Sequence, residues 1–154
     1  MPIDIEGWVE FSPYEEKEEQ NKEYGWLSWM DISSIIEFND EVNWVLIGNP
    51  RNFKSNAPKY NPIAKDRGFP ENPSSHLKYD INWIVEHETK YGKGELFGFT
   101  NFNYSEVENI NWKKDYNIKI DESDWLKLFE LIDNFKDLKK IKSEQIRIVA
   151  WYNW

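Results

Sequence analysis

Alternation of apolar and polar residues predicts a β-strand near each end of the chain. In the first eleven residues Ile3, Ile5, Gly7, Val9 and Phe11 share one parity, and Asp4, Glu6, Trp8 and Glu10 share the other. This pattern predicts a strand with one buried face and one face in water. The last ten residues, QIRIVAWYNW, alternate in the same way, so we expect them to pair near the first strand in a mostly antiparallel sheet.

A helical pattern of apolar residues predicts one long helix over about residues 123–141. Ser123 is a typical N-cap, Asp124 lies at the favourable end of the helix dipole, and lysines crowd the other end. The predicted core stripe of this helix is Leu128, Phe129, Ile132, Phe135 and Leu138.

The middle of the chain mixes helical and strand patterns without strict alternation, which favours a single α+β domain over residues 1–154. A second helix is expected from the Pro73-Ser74-Ser75 start to Glu88, with Leu77, Ile81, Ile84 and Val85 on its buried side. The other predictions are an exposed loop or hairpin tip at 12–23, strands at YGWLSWM and FGFTNF, a short helix ISSIIEF after Asp31, and a buried strand or short core helix at VNWVLI.

The stretch from Gly48 to Pro70 predicts a long central loop with a binding role. It holds four of the seven prolines of the chain, which oppose regular helix or central strand. A structureless connection of this length is uncommon in a compact domain and is usually a binding loop or a linker. Apolar anchors favour the loop, and they are Phe53, Tyr60, Ile63 and Phe69.

Composition narrows the class of protein. The chain has 154 residues and no cysteine, it starts without a secretory signal, and it has no apolar run of membrane-spanning length, so we expect a cytoplasmic protein. A formal charge of -9 repels phosphate backbones and argues against general nucleic-acid binding. Nine Trp, eight Tyr and nine Phe exceed what such a core readily buries, which predicts a pocket or a homo-oligomer interface.

The arginines of the central loop predict the chemistry of that pocket. Only three of the 19 basic residues are arginines, and two of them, Arg51 and Arg67, lie in the loop. The planar guanidinium suits phosphate and carboxylate, whereas the alternative is that each arginine ties the loop to a carbonyl or an acidic neighbour. With Asn52 and a stacking wall from Trp8, the pair predicts a site for a small anionic ligand that carries a base. Trp8 could instead pack under the loop.

The order of several short motifs resembles a family of small, uncharacterised proteins encoded by bacteriophages and prophages. The motifs are Asp4-Ile5-x-Gly7-Trp8-Val9-Glu10, Arg51-Asn52, Pro62-Ile63-Ala64, Arg67-Gly68-Phe69-Pro70, Phe99-Thr100 and the strand from Arg147 to Tyr152. The chain departs from this pattern at Glu6, where such proteins commonly have histidine, and at Pro50, where they have an aliphatic residue. The resemblance implies a viral protein and adds Gly68 and Thr100 to the predicted ligand-binding residues.

These observations lead to one main functional hypothesis and two alternatives. The first is an anti-defence sponge, a nucleotide-binding homo-oligomer in the bacterial host that sequesters a cyclic oligonucleotide or an ADP-ribose derivative without cleaving it, and without metal or cofactor. The second is a protein–protein inhibitor or immunity-type protein that docks its acidic surface on a basic enzyme. The third is a metal-dependent hydrolase that uses Asp4 and Glu6, two carboxylates on one strand face.

Overall fold

The computed structural model describes residues 3–48 and 60–154, and its centre is a four-stranded antiparallel sheet with helices on both faces. The strands lie in the order β2-β1-β4-β3, so the first and last strands of the chain are neighbours. The predicted α+β class and the predicted pairing of the terminal strands are both confirmed. The strands are β1 Asp4–Phe11, β2 Leu27–Asp31, β3 Leu96–Asn103 and β4 Ile146–Asn153.

The two longest helices of the described ranges begin where the sequence predicts. Ser123 caps one of them, and its hydroxyl accepts a hydrogen bond from the Trp125 backbone N–H. Ser74 caps the other in the same way through the N–H of Leu77. The helices are α1 Lys17–Gln20, α2 Glu41–Leu46, α3 Ser75–Tyr91, α4 Trp112–Tyr116 and α5 Asp124–Lys139, with short 3-10 turns at Tyr104–Glu106, Ile120–Glu122 and Ser143–Gln145.

One face of the sheet packs against α2 and α5 and forms the larger core. Both helices bring fully buried apolar side chains to this face, as do alternate residues of β1 and β4. Asp40 links the two helices, because one carboxylate oxygen accepts from Val42 at the start of α2 and the other from Ser123 and Asp124 at the start of α5. The VNWVLI segment, for which the sequence allowed either a strand or a short helix, forms α2 as far as Leu46.

The other face of the sheet is covered by α3 at one end, so the predicted wet face of β1 is wrong at Glu10, whereas Asp4 is exposed and Glu6 and Trp8 are partly exposed. Leu77 and Ile84 of α3 pack on Val149 and Trp151 of β4 in a second, smaller core. Glu10 of β1 lies on this face with no exposed surface. The alternating pattern gave the two faces of the strand correctly, but it did not show that a helix covers the polar one.

Glu10 is buried because it forms an ion pair with Arg147 of β4. The Arg147 Nε lies 2.7 Å from Glu10 Oε1, and its Nη2 donates to the Asn72 carbonyl at 2.6 Å. The guanidinium also covers the ring of Trp26 at 3.9 Å from the ring centre. The second Glu10 oxygen accepts from the backbone N–H of Ser74 at 2.7 Å. Burial lowers the pKa of Arg147, and the Glu10 carboxylate opposes that shift.

Three further sequence predictions need correction. The ISSIIEF segment is a set of turns rather than a helix: Asp31 accepts from the Ser33 N–H as a cap does, and Ile32 accepts from Ile35 and Ile36, but the turn does not continue as a helix. Most of the 12–23 segment is exposed, as predicted, but it contains the short helix α1 and buries Gln20, whose amide donates to the Tyr14 carbonyl. Val85 and Leu138, both predicted to be core residues, are 57% and 80% exposed.

In the two described ranges, no helix combines the length and the apolar character that crossing a bilayer requires.

The buried ion pair predicts a large loss of stability when one partner is removed. Glu10→Leu should lower the free energy of unfolding by about 3–5 kcal/mol, because Arg147 keeps a buried charge without its partner. The double variant Glu10→Leu/Arg147→Met should recover part of that loss in urea unfolding. The exposed pair Lys22–Glu19 is the control, and Lys22→Ala should cost less than about 1 kcal/mol. Additive effects of the two core substitutions would contradict this prediction.

The buried hydroxyl of Tyr152 leads us to expect a loss of stability at high pH. Its hydroxyl is buried and donates to the Gly48 carbonyl at 2.7 Å, and burial raises the pKa of Tyr152. A raised pKa means that the folded state holds the proton more tightly, so the stabilisation is full below the unfolded pKa near 10 and is lost above it. At about pH 11 the free energy of unfolding should be lower by about 1.4 kcal/mol from this group.

Urea unfolding of Tyr152→Phe at about pH 8 and about pH 11 isolates the contribution of this group. The variant should be less stable at the lower pH, because it loses a hydrogen bond, and it should show a smaller loss between the two pH values. An identical pH dependence of the variant and the parent protein would argue against the assignment.

Candidate functional site

The guanidinium of Arg67 is held by the protein itself. Its Nη1 lies 2.9 Å from Glu106 Oε1, and its Nη2 donates to the Ile63 carbonyl at 2.7 Å. A longer contact of 3.4 Å joins Nη1 to the carbonyl of Asn101 on β3. Arg67 thus ties the end of the central loop to the edge of the sheet, which is the structural alternative that the sequence left open.

Gly68 and Thr100 lie beside Arg67. The Gly68 N–H donates to the Phe99 carbonyl at 2.8 Å, and the Arg67 N–H approaches Thr100 Oγ1 at 3.4 Å. The Thr100 hydroxyl is fully buried and donates to the Ala64 carbonyl at 2.6 Å. The structure therefore brings together these three predicted residues, and each contact joins the loop to β3.

Arg51 and Asn52 lie outside the described residues, so ligand binding by them stays a prediction.

Trp8 does not join Arg67, which corrects the single site proposed from the sequence. Trp8 is on β1, whereas Arg67 and Gly68 contact β3, and β4 lies between these two strands. Trp8 packs in the core on the α3 side, whereas Thr100 pairs with Ala150 of the opposite core. Trp8 instead belongs to a different concave site.

That site is a cleft between α3 and the strands β1, β2 and β4, and we refer to it as the tryptophan cleft. Its cavity volume is about 240 Å³. It combines three indole rings with three carboxylates on a single concave surface. The residues that define it are Glu6, Trp8, Asp31, Asp80, Trp83 and Trp151.

Two of the indoles are hydrogen-bonded to two of the carboxylates. Trp8 Nε1 donates to Asp80 Oδ2 at 2.7 Å, which links β1 to α3. Trp151 Nε1 donates to Glu6 Oε2 at 2.8 Å, and Asn153 Nδ2 donates to the other Glu6 oxygen at 2.8 Å. These hydrogen bonds orient both rings and both carboxylates, and every donor among them is neutral.

Asp31 and Trp83 complete the cleft at its open side. Asp31 pairs with Trp8 across the β1–β2 ladder, and its Oδ1 accepts from the N–H and the hydroxyl of Ser33. Trp83 of α3 is 50% exposed, and one face of its ring stacks on His87 with ring centres 4.9 Å apart. Both side chains are accessible to a partner in solvent.

Gly7 makes the close strand contact on which the cleft rests. Its φ is +151°, and a Cβ at this position would lie 1.9 Å from the carbonyl oxygen of Val149. Any other residue would push β1 away from β4, and the relative positions of Glu6, Trp8 and Trp151 would change with it.

No described lysine or arginine lines this cleft, and the imidazoles of His76 and His87 border it against Trp8 and Trp83. The ion pairs in that part of the chain do not involve Glu6, Asp31 or Asp80. The cation–ring contacts there use Tyr91, Tyr104 and Trp26 rather than a ring of the cleft. Negative charge and exposed aromatic surface are thus left together in a chain with a net charge of -9.

For the hydrolase alternative, the described residues add no further metal-ligating side chain to Asp4 and Glu6. Asp4 is exposed at the start of β1, and both Glu6 oxygens already accept hydrogen bonds. Residues 3–48 and 60–154 contain no group of three or more His, Cys, Asp or Glu side chains placed to hold a metal ion.

Comparisons with protein-family models, curated proteins and solved structures found no match, so function is argued from this geometry.

Sequence reasoning found one wall of the cleft and missed most of the rest. Trp8 stood out because a large ring projected from the polar side of its strand. Glu6 was considered only for a hydrolase and Asp31 only as the residue before a short helix. Asp80, Trp83 and Trp151 were not singled out. These residues come from distant parts of the chain, and their meeting depends on how α3 crosses the sheet.

The contacts of Arg67 predict a mainly structural effect of its removal. Arg67→Ala should lower the free energy of unfolding by about 1–2 kcal/mol, because a partly exposed ion pair and a hydrogen bond to the Ile63 carbonyl are lost. Arg67→Lys should lie between the variant and the parent protein in urea unfolding. Unchanged stability of Arg67→Ala together with lost binding of a cyclic dinucleotide would favour the ligand role instead.

Proposed function

We propose that this chain is a protein-binding module that docks its α3 face on a basic surface of another protein, in the manner of an inhibitor or immunity-type protein. The observation that carries the proposal is the tryptophan cleft, where accessible carboxylates and indole rings share one concave surface that no described lysine or arginine lines. Tryptophan and tyrosine anchors are typical of the energetic centres of protein interfaces, and charge complementarity around them attracts and orients the partner.

The surface around the cleft supports a protein partner. Tyr79 and Tyr91 of α3 are 73% and 65% exposed, and Trp83 lies between them on the same helix. Tyrosine and tryptophan supply large contact areas at low cost in side-chain entropy. The net charge of -9 would also attract a basic partner over several ångströms and raise the association rate.

A nucleotide is a poorer match to the described part of the chain. The guanidinium of Arg67 already has a carboxylate and a carbonyl as partners, so a phosphate would have to displace Glu106. The tryptophan cleft has the wrong charge for a phosphate, and its volume lies below the roughly 300–1,000 Å³ of pockets for drug-sized ligands. The sponge hypothesis therefore rests on Arg51 and Asn52 and stays a prediction.

Binding of a defined basic peptide tests the proposal. A short fluorescein-labelled peptide of alternating arginine and glycine should bind the parent protein in an anisotropy titration, and the affinity should fall as salt is added. The triple variant Glu6→Gln/Asp31→Asn/Asp80→Asn should bind about tenfold more weakly, a loss of about 1.4 kcal/mol. The amide side chains keep an oxygen that accepts the indole N–H bonds.

A second triple variant controls for net charge. Asp121→Asn/Glu130→Gln/Asp137→Asn changes the net charge from -9 to -6, as the first variant does, but its three sites are exposed positions in and before α5, on the other side of the sheet. This control should lose no more than about threefold in affinity. Equal losses in the two triple variants would mean that the peptide responds only to total charge, and the proposal would fail.

A further inference from the structure

We propose that the tryptophan cleft is the receptor for a single arginine side chain of the partner. This inference rests on the proposed function and specifies the group that the docking face recognises. Its basis is the juxtaposition of an open indole face on Trp83 with carboxylate oxygens that still lack partners on Asp31 and Asp80.

The ring of Trp83 can stack a planar cation. One face lies nearly parallel to His87, at an interplanar angle of 16°, and the side chain remains half exposed. The described part of the chain places no lysine or arginine over this ring. A guanidinium stacks on tryptophan through cation–π attraction and is more weakly hydrated than an ammonium group, so it loses less on entering the cleft.

The carboxylates offer acceptors for the guanidinium fork. Asp80 uses Oδ2 for the Trp8 indole, and Asp31 uses Oδ1 for Ser33. The remaining oxygens, Asp80 Oδ1 and Asp31 Oδ2, accept no hydrogen bond from a described residue. A guanidinium has five N–H donors in one plane and can bond to carboxylates while its face lies on a ring, whereas an ammonium group cannot do both in this way.

The NMR signals of the indole N–H protons can report cation binding in the cleft. Trp8 and Trp151 donate to Asp80 and Glu6 inside the cleft, so a cation bound to those carboxylates should shift the two indole proton signals. We would titrate the full chain with N-acetyl-arginine amide, N-acetyl-lysine amide and N-acetyl-citrulline amide and follow the nine indole signals by NMR. Trp→Phe variants at positions 8, 83 and 151 would assign them.

The arginine compound should shift the signals of Trp8, Trp83 and Trp151 with a dissociation constant in the millimolar range, as one side chain would give. The lysine compound should bind at least about threefold more weakly. The citrulline compound has nearly the same shape without the charge, so it should leave the three signals unchanged. Shifts of equal size with arginine and citrulline would overturn the inference.

Matched variants locate the binding. Trp83→Ala should abolish the arginine-induced shifts at Trp8 and Trp151. Leu138→Ala, which truncates a highly exposed side chain of α5 on the other side of the sheet, should retain them. Loss of the shifts in both variants, or in neither, would show that the cleft is not the arginine site.

The inference and the proposed function can fail separately. If peptides rich in arginine and in lysine bind equally well, and both lose affinity in the cleft triple variant, the docking face stands and the choice of arginine is wrong. If the two triple variants lose affinity equally, the docking face itself is wrong, whatever the small compounds do.

Discussion

The buried ion pair between Glu10 and Arg147 is the contact on which the α3 side of the molecule depends. It joins the two central strands, and the remaining donors and acceptors of the pair reach Asn72 and the Ser74 N–H at the start of α3. Desolvation of two charges is costly, so such a pair persists only where its hydrogen-bonding capacity is used. Here it also fixes where α3 begins, and the position of α3 in turn determines the cleft.

The carboxylates on this face of the sheet have two different kinds of partner. Glu10 meets a cation and is buried, whereas Glu6, four residues earlier on the same strand, meets the indole N–H of Trp151 and an amide. Asp80 likewise accepts from Trp8. At the Glu10 end of this face the carboxylate is buried in an ion pair. At the Glu6 end the carboxylates keep their negative charge at an open surface.

Helix caps and the periodicity of apolar residues predicted those elements of the fold that depend mainly on neighbours in the sequence. The Ser123 cap and the helical spacing after it gave α5, and period-two alternation gave β1 and β4 with their correct faces. What covers each face is a long-range property. Glu10 and Arg147 are 137 positions apart, so the first strand alone could not show that its acidic side is buried. The predicted burial of Leu138 was wrong for a related reason, because the apolar stripe of α5 leaves the core before the last turn of the helix.

The scarcity of arginine directed sequence reasoning to the central loop, yet both described arginines make internal contacts, Arg67 with Glu106 and Arg147 with Glu10. A more informative signal was Trp8 among acidic neighbours. An indole N–H orients a carboxylate without neutralising it, whereas a lysine in the same place would have cancelled the charge. The pairing of tryptophan with aspartate and glutamate thus preorganises the cleft and leaves its negative charge available, which is the physical reason to expect a cation from outside the chain.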